Sequence, residues 1–436
     1  MPKKSKQKKK QTPFTIAETF VGCGGSHLGF KKFNFEPVFL NDVWDKALDT
    51  LKYNNPDDVD KVVLGDIREL CEQDLCKKYK IAKGKLDVLM GGVVCKGFSL
   101  AGVRNPFDER SYLYISQLKL VEQLRPKISV IENVPAMEKM RILMKPGIAP
   151  MSGIGEDGID IDVKMDEEIV KLCNELNTIS ELLKINRGKT IAVKKRINMG
   201  GNTEDLIEME GLRETKNQLK KNRDALDSRL SNYKYSVVED ICKRYNQLGY
   251  RVFKNKLKCS NYGGYTNRIR LFIVAIRNDV VGDWEWPTIT NDDSDDGLPN
   301  LRTVRDAFDL LDYDGVNNPE LDPDNKPMTH RPSTVEKFKK ITSQSTGGFS
   351  SRGTSKRLAW DKPAPTLVPG HSSFSLHPEE HRSISVREGG IISGFPKNFV
   401  FKGNHTDRCM QIGNAIPVEL GIAIASSVDK FLRKAS

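Results

Sequence analysis

Short apolar runs and helix-forming stretches alternate along the first third of the chain. Each run is short enough for one strand and ends in glycine or in a polar residue. This β-then-α order predicts an α/β fold with a doubly wound, mostly parallel sheet covered by helices. Ligands bind such sheets where the carboxyl ends of the strands meet the loops. The apolar runs cover residues 14–20, 37–40, 62–64, 86–90 and 128–131.

The spacing of apolar positions changes after Met137. Two highly charged stretches carry apolar side chains at heptad-like steps, which is typical of a helix with one buried seam. The basic residues 187–201, with a Gly200-Gly201 break, separate them. The pattern predicts an antiparallel helical hairpin with a basic tip, inserted at about residues 160–236. The seam positions are Ile169, Leu172, Leu176, Ile179 and Leu183, followed by Leu212, Leu219, Leu226, Leu230, Tyr233 and Val237.

Strand patterns resume at residues 250–253 and 271–276, and a helical pattern follows Pro417. Between residues 284 and 353 the composition is rich in Pro, Asp, Asn, Ser and Gly, which predicts a small second domain. We expect four parts: a basic tail at 1–12, a catalytic cofactor-binding domain at 13–283, the small domain at 284–384, and a return to the first domain at 385–436.

The charge of the chain is basic, with 69 Lys plus Arg against 58 Asp plus Glu and a formal net charge of +11. A basic balance fits a polyanionic partner. Much of the excess lies in the first ten residues, where a solvated arm explains it as well as a nucleic-acid contact does. Apolar runs are too short for a membrane span, and no apolar segment follows the basic N-terminus. We therefore expect no membrane partner and a location inside the cell, cytoplasmic and nucleoid-associated in a prokaryote or virus-infected cell, or nuclear in a eukaryote.

The 8 cysteines are scattered, and neither a CxxC pair nor an HExxH helix is present in the sequence. A disulfide framework and a metal site are therefore both poorly supported. We expect chemistry that uses no metal.

A glycine-rich turn follows the first predicted strand and comprises Phe20, Gly22, Gly24 and Gly25. Glycines at a strand-to-helix turn allow the backbone to approach a nucleotide-like cofactor, and an acid at the end of the next strand can bind ribose hydroxyls. Asp42 has the spacing expected for that acid. A simple tight turn is the alternative.

Two further residues lie at strand ends. Asp66 could accept a hydrogen bond from an adenine amine, or could simply be a helix N-cap. Cys95 lies between glycines and is followed by Lys96, which could raise the thiolate fraction of a thiol whose pKa is ordinarily about 8.5. A small buried hydrophobic residue is the alternative for a cysteine.

Six segments, in order along the chain, together resemble the motifs of the C5-cytosine DNA methyltransferases. The order holds from about residue 14 to the end, apart from the inserted hairpin. The resemblance implies a Rossmann-like, S-adenosylmethionine-dependent methyltransferase fold, with a target-recognition domain at 284–384. The segments are FVGCGG (20–25), GGVVCKGFS (91–99), ENV (132–134), TNRIR (266–270), RE with GFP (387–388, 394–396) and QIGNAIP (411–417).

The resemblance also implies roles for individual residues. Cys95 would attack C6 of a flipped-out cytosine, so that C5 becomes nucleophilic and accepts the methyl group. Glu132 would contact N3 and the exocyclic amine, while Arg270, with Arg268 beside it, would hold the oxygen side of the ring. The residues expected to bind S-adenosylmethionine are Phe20, Gly22, Gly24, Gly25, Asp42, Asp66 and Asn414.

The chain departs from the family pattern at three positions. Val94 replaces a proline that would restrain the backbone before the nucleophile, and Lys96 replaces a glutamine. Thr266 stands where the arginine motif usually begins with glutamine. These changes leave two alternatives open: an RNA cytosine methyltransferase on the same fold, or a catalytically weakened DNA-binding paralogue. A dinucleotide oxidoreductase would not require Cys95, Glu132 and the paired arginines.

The expected partner is double-stranded DNA, bound by a monomer. A cognate restriction endonuclease is a candidate second partner.

Overall fold

The computed structural model describes residues 12–93, 109–143, 167–294, 297–311, 322–342, 356–368 and 375–435. The described residues of 1–94, 113–135 and 245–436 form one compact unit, and those of 95–112 and 136–244 form a second. The described part of 284–384 belongs to the first unit, and the predicted domain boundary at residue 284 stays a prediction.

The described residues contain strands in two sheets. In the larger unit the strand order is β3-β2-β1-β4-β5-β9-β8; β9 runs antiparallel to both of its neighbours, and all other pairs are parallel. The strands are β1 (Phe14–Thr19), β2 (Phe35–Asp42), β3 (Val62–Leu64), β4 (Val88–Gly92), β5 (Ile128–Asn133), β6 (Arg141–Leu143), β7 (Lys234–Ser236), β8 (Tyr250–Lys258) and β9 (Ile269–Arg277).

The described helices vary from single turns to more than eight turns. They are α1 (Gly25–Lys31), α2 (Asp45–Asn54), α3 (Ile67–Leu70), α4 (Leu75–Lys78), α5 (Leu113–Leu124), α6 (Glu167–Asn198), α7 (Thr203–Arg229), α8 (Val237–Gln247), α9 (Val304–Phe308), α10 (Pro332–Lys339), α11 (Val386–Ile392), α12 (His405–Asn414) and α13 (Val418–Ala435). In the part of the chain described, no helix is both long and apolar enough to cross a membrane.

The predicted α/β fold with a mostly parallel sheet is confirmed. Every predicted apolar run overlaps an observed strand, because β1, β4 and β5 are buried along most of their length. The strand predicted at 250–253 is longer than expected and continues to Lys258. Its second half is polar, which an edge strand tolerates because one side faces solvent.

The α1 and α13 helices pack closely against each other because glycines line their contact. A Cβ atom on Gly29 would lie 2.2 Å from the carbonyl carbon of Gly421, and one on Gly25 would lie 2.2 Å from the carbonyl oxygen of Ile416. Any larger residue at these positions would push the helix and the segment before it away. The contact places residues 415–421 directly beside the glycine-rich turn.

The smaller unit contains β6 paired with β7, and a hairpin of α6 packed on α7. Asn186 Nδ2 donates to the Leu212 carbonyl at 3.1 Å, and Arg196 pairs with Asp205 at 2.6 Å and with Glu208. These contacts require an antiparallel hairpin, as predicted.

The predicted basic tip of the hairpin is wrong in one respect. The α6 helix continues to Asn198, so the basic residues lie in its last turns and only residues 199–202 form the turn. Basic residues stabilise a helix C-terminus by opposing the macrodipole. Composition alone therefore suggested a loop where the chain remains helical.

Candidate active site

The backbone of the glycine-rich turn at the carboxyl end of β1 is left-handed at three positions. The φ angles are 53° at Phe20, 57° at Gly22 and 97° at Gly24. A side chain held at such an angle costs about 1–3 kcal/mol, and such strain clusters at ligand sites. No described atom lies within 4 Å of the point where a Cβ on Gly22 would stand. The turn therefore presents open backbone to a ligand.

The carboxylate of Asp42 holds this turn in place. Its Oδ2 accepts a hydrogen bond from the Gly22 N–H at 2.8 Å, and its Oδ1 accepts one from the Trp44 N–H at 2.9 Å. The ends of β1 and β2 are thereby joined. The sequence suggested a ribose contact for Asp42, but did not suggest this second task.

Two polar side chains, Asp66 and Asn41, form hydrogen bonds with the backbone around the end of β3. Asp66 caps α3 by accepting the Arg68 N–H at 2.8 Å, and forms an ion pair with the same arginine at 2.7 Å. The N-cap alternative is thus seen in the structure, and the adenine contact of Asp66 stays a prediction. Asn41 Nδ2 donates to the carbonyls of Val63 and Gly65, at 3.1 and 2.9 Å.

Glu132, at the end of β5, is buried and forms an ion pair with Arg270, with 2.7 Å between Oε1 and Nε. Burial raises the pKa of the Glu132 carboxyl, and the charges of Arg270 and Arg268 oppose that rise. A Cβ on the neighbouring Gly92 would lie 3.5 Å from Glu132 Oε2 and 3.7 Å from the Phe20 carbonyl oxygen. Gly92 thus brings the acid and the glycine-rich turn to one place.

The two arginines of the TNRIR segment make different contacts. Arg270 lies beside Glu132, as described above. Arg268 is buried and donates to the carbonyls of Leu367 and Gly413, at 3.2 and 2.7 Å. The side chain of Thr266 donates to the Pro365 carbonyl at 3.3 Å. Arg268 therefore ties a segment within the predicted 284–384 domain to the segment before Asn414.

The predicted nucleophile Cys95 and its neighbours Val94 and Lys96 lie outside the described residues. The chain is described up to Val93, whose carbonyl accepts a hydrogen bond from Asn133 Nδ2 at 2.9 Å. Asn133 follows Glu132 in β5, so the strand that carries the acid also fixes the chain two residues before Cys95.

Three of the described cysteines are poor nucleophiles. Burial raises the pKa of the Cys23 and Cys409 thiols to about 12, and raises the pKa of Cys259 well above its usual value. These thiols remain protonated at neutral pH.

Asn414 is exposed at the end of α12, while the Gln411 side chain one turn earlier is buried. The Gln411 side chain accepts from Thr50 Oγ1 at 2.6 Å and donates to the Lys402 carbonyl at 2.8 Å. These bonds join α12 to α2, which follows the Asp42 strand. Asn414 lies one residue before Ala415, whose Cβ is 3.5 Å from the Cβ position of Gly25.

Sequence reasoning missed two buried polar groups beneath the site. Gln117 of α5 accepts from Thr19 Oγ1 at 2.6 Å, and its amide would collide with a Cβ on Gly91. The available signal was an amide on the apolar face of α5, four residues from both Leu113 and Val121, where a buried polar group requires a partner.

The second group is the His27 imidazole in α1. Its Nδ1 lies 2.8 Å from Glu18 Oε1 and its Nε2 lies 3.1 Å from Asp58 Oδ2. Lys31 Nζ also pairs with Asp58 at 2.7 Å, and Ser26 Oγ donates to Glu18 at 2.8 Å. Burial lowers the pKa of His27, but the hydrogen bonds to Asp58 and Glu18 outweigh it and raise the pKa to about 9.

Metal ligands are not grouped in the described part of the chain: no three His, Cys, Asp or Glu side chains there could hold a metal ion together. The described site consists of the open backbone of the glycine-rich turn, the buried Glu132 and the buried Arg270.

Comparison with solved structures bears on the fold. The chain is similar to the DNMT2 protein of Spodoptera frugiperda, with 12% identity, a TM-score of 0.52, and coverage of 95% of this chain and 99% of that one. It is also similar to the Dnmt2 methyltransferase of S. pombe, with 14% identity, a TM-score of 0.51, and coverage of 97% and 99%.

Comparison of sequences bears on the family. The chain is 26% identical to the type II methyltransferase M.Eco47II of Escherichia coli, over 97% of this chain and 80% of that protein. It is 26% identical to the type II methyltransferase M.AgeI of Thalassovita gelatinovora, over 94% and 98%. The model of the C-5 cytosine-specific DNA methylase family matches residues 14–143 and 228–430. The chain is a DNA (cytosine-5-)-methyltransferase and belongs to the C-5 cytosine-specific DNA methylase family.

Proposed function

We propose that the protein methylates C5 of a cytosine flipped out of a specific duplex DNA sequence, with S-adenosylmethionine as methyl donor and Cys95 as nucleophile. The observation that supports this most strongly is the meeting of three elements at Gly92. The glycine-rich turn, the buried Glu132 and the strand that leads towards Cys95 come together there.

The residues at the ends of β1, β2 and β3 fit S-adenosylmethionine. The strained, open backbone at Phe20 and Gly22 can lie against the cofactor, and the space beside Gly65 is also open within 4 Å. When bound, S-adenosylmethionine supplies a methyl group on a positively charged sulfur. We assign the binding of ribose hydroxyls to Asp42 and of the adenine amine to Asp66. The other residues that we assign to the cofactor are Gly24, Gly25 and Asn414.

The nucleophilic step uses the Cys95 thiolate. Its sulfur forms a bond to C6 of cytosine, and the electron pair of the C5–C6 double bond becomes available at C5 for a new bond to the methyl group. The bond between that methyl group and the donor sulfur would break, with its electron pair remaining on the sulfur. Loss of the C5 proton to a base then returns an electron pair to the ring, the S–C6 bond breaks, and the thiolate leaves. The product is 5-methylcytosine.

We assign stabilisation of the cytosine ring to Glu132. Its pKa is raised by burial, so that it can carry a proton and share it with N3 while its other oxygen accepts from the exocyclic amine. Arg270, held 2.7 Å from the same carboxyl group, supplies positive charge for the oxygen side of the ring. The contacts of Arg268 with the Leu367 and Gly413 carbonyls favour a positioning role for it within this pair.

The biological setting follows from the relatives, which are named type II methyltransferases. We propose that the protein is the modification enzyme of a restriction-modification system, with a cognate restriction endonuclease as partner. In this proposal residues 284–384 recognise the sequence, and the protein acts on DNA as a monomer in the cytoplasm, associated with the nucleoid.

The mechanism is tested with Cys95→Ser. We expect the variant to lose methyl transfer while its S-adenosylmethionine affinity stays nearly unchanged, because the proposed cofactor residues lie elsewhere. Cys76→Ser, at a half-buried cysteine, is the matched control and should remain active. Wild-type protein should form a denaturant-resistant adduct with duplex DNA that contains 5-fluorocytosine, because fluorine cannot leave as a proton. Substantial turnover by Cys95→Ser would show that the nucleophile is wrong.

The substrate is tested by expressing the protein in cells that lack cytosine methylation and sequencing their genome for 5-methylcytosine. We expect methylation in one sequence context. An unmethylated genome together with methylated RNA would favour the alternative enzyme on the same fold.

A further inference from the structure

A concave surface lies at the end of the sheet opposite the candidate active site, where the parallel strands begin. It is a hollow of about 570 Å³ beside the first residues of β4, β5 and β8 and the last residue of β9. A strand of six residues spans about 20 Å, so the hollow lies about one strand length away from the glycine-rich turn. The active site therefore does not account for it.

Basic side chains dominate this hollow. Lys83 and Lys85 are exposed at its wall, and Arg125 and Arg277 are half-buried in it. One carboxylate, Asp279, also lines it, but that group is bound by Arg277, with 2.6 Å between Oδ1 and Nε and 3.1 Å between Oδ2 and Nη2. The remaining charge is positive.

The two arginines are fixed by the backbone around them. Arg277 Nη1 donates to the Gly84 carbonyl at 3.0 Å and to the Arg125 carbonyl. Arg125 Nη1 donates to the Leu248 carbonyl, and its guanidinium lies 5.1 Å from the centre of the Tyr250 ring. Ordering these side chains therefore costs little when a ligand binds.

Two donors converge on one open point in the hollow. The point is where a Cβ on Gly249 would stand, 3.8 Å from Arg125 Nη2 and 3.9 Å from Asn278 Nδ2. These are the only described atoms within 4 Å of it, apart from Gly249 and its chain neighbours. Gly249 has a φ of 74°, so a larger residue would be strained there as well as filling the space.

The backbone of Arg125 is itself strained, with a φ of 49°. Outside glycine such angles cost about 1–3 kcal/mol, and they persist where the surrounding structure enforces them, often at ligand sites. Phe20, at the candidate cofactor site, is another non-glycine residue with this conformation.

We propose that this hollow binds a phosphate group, with Arg125, Asn278, Lys83 and Lys85 as donors. A guanidinium held by the backbone and a neighbouring amide donor suit the tetrahedral oxygens of phosphate, and the flanking lysines add charge. The phosphate belongs either to a free phosphorylated small molecule or to the backbone of a nucleic-acid segment separate from the one at the active site. The proposal does not depend on the methyltransferase mechanism.

The site is tested by calorimetric titration of the full-length protein with inorganic pyrophosphate at low salt. We expect a dissociation constant of about 1 mM or tighter for the wild type. The double variant Lys83→Glu, Lys85→Glu should weaken binding about tenfold or more, and Asn278→Asp should do the same because it replaces a donor with a carboxylate. Failure of the wild type to bind pyrophosphate, or wild-type affinity in both variants, would overturn the proposal.

The matched control is Lys243→Glu with Lys254→Glu, which changes the net charge equally at two exposed lysines that do not line the hollow. It should bind pyrophosphate like the wild type, and an equal loss there would show that binding reports only net charge. Circular dichroism melts of all variants establish that they are folded.

The source of the phosphate is distinguished with a duplex of A·T pairs, which has no cytosine. If the nucleic-acid backbone occupies the hollow, the lysine variant should bind this duplex more weakly, with a salt slope flatter by about 1–2. Loss of pyrophosphate binding with unchanged duplex binding would identify a free phosphorylated molecule.

Discussion

The proposed function gives Asp42 two tasks, to hold the glycine-rich turn and to bind ribose hydroxyls. Each of its oxygens accepts one backbone N–H, from Gly22 and from Trp44, and a carboxylate oxygen can accept more than one hydrogen bond. Replacing it therefore affects the turn as well as the proposed ribose contact.

We predict that Asp42→Ala weakens S-adenosylmethionine binding about tenfold to hundredfold, since a charge-assisted hydrogen bond is worth about 1.5–3 kcal/mol. Asp42→Asn should lose less, because it keeps one acceptor oxygen. Asp45→Ala, at an exposed neighbour, should bind like the wild type. Isothermal titration calorimetry measures all three, and a loss in Asp45→Ala with none in Asp42→Ala would move the ribose contact to the other acid.

For single residues, the sequence motifs indicated which side chains lie close together, but not which hydrogen bonds keep them in position. Glu132, Arg270 and the glycine-rich turn were expected at one site because the family resemblance implies it. Asn41, Gln117 and Gln411 were not expected there, since their importance comes from burial beside backbone atoms far away in sequence. Burial of that kind leaves no periodic pattern in a single sequence.

At the scale of elements, the His27 network joins β1, α1 and the short 3-10 helix Pro56–Lys61. Glu18 and Asp58 both contact the imidazole, so the protonated form is favoured in the folded protein. The pKa of Asp58 is correspondingly lowered to about 2, chiefly by the hydrogen bond with His27.

We predict a loss of stability at alkaline pH that depends on His27. Its folded pKa of about 9 exceeds the unfolded value of 6.5, so its contribution is complete below pH 6.5 and is lost as pH rises through 9. His27→Gln should be less stable than the wild type at pH 6, and the difference should shrink by pH 9.5. Urea unfolding of both proteins across this range measures it.

Glu419 titrates in a lower pH range than His27. Burial raises the pKa of its carboxyl to about 7, so its contribution to stability is present below about pH 4.5 and is lost as the pH rises to about 7, mostly below the His27 range of about pH 6.5 to 9. A difference between wild type and His27→Gln that stays constant from pH 6 to 9.5 would contradict the role given to the imidazole.

Elements themselves were well predicted where one face of the chain is buried. The strands and most of the hairpin seam follow from apolar spacing, which reports burial directly. The second seam was predicted to continue to Val237, but α7 ends at Arg229, so Leu230, Tyr233 and Val237 lie beyond it. The end of α6 was missed because charged residues favour solvent whether they lie in a helix or in a loop.

At the scale of the whole molecule, the hairpin of α6 and α7 is the part to which the family resemblance assigns no task. Lys194 and Lys195 lie in the last turns of α6, and Arg196 is engaged by two acids of α7. The turn that follows and the beginning of α7 expose apolar side chains, with Met199 78%, Leu206 59% and Ile207 69% accessible.

We predict that replacing Lys194, Lys195 and Arg196 with alanine lowers DNA affinity and flattens the salt dependence by roughly 0.9 for each phosphate that is no longer neutralised. Sequence preference should stay unchanged, because binding to phosphates carries no sequence information. Fluorescence anisotropy at several salt concentrations measures both. The control replaces Lys216, Lys220 and Lys221 of α7.

If the variant with alanine at positions 194, 195 and 196 has the DNA affinity and the salt dependence of the wild type, the hairpin does not bind DNA phosphates. The exposed Met199, Leu206 and Ile207 would then favour a protein partner for the hairpin.

The glycine contact between α1 and α13 has a consequence for synthesis on the ribosome. Phe30 and Leu420 share one core, so a nascent chain that has emerged only to the middle of the sheet leaves the apolar side of α1 uncovered. At about 5–20 residues per second, nearly 400 further residues after Gly29 take tens of seconds to translate. Throughout that interval the apolar side of α1 lacks the partner that covers it in the folded protein, and exposed apolar surface of this kind favours aggregation.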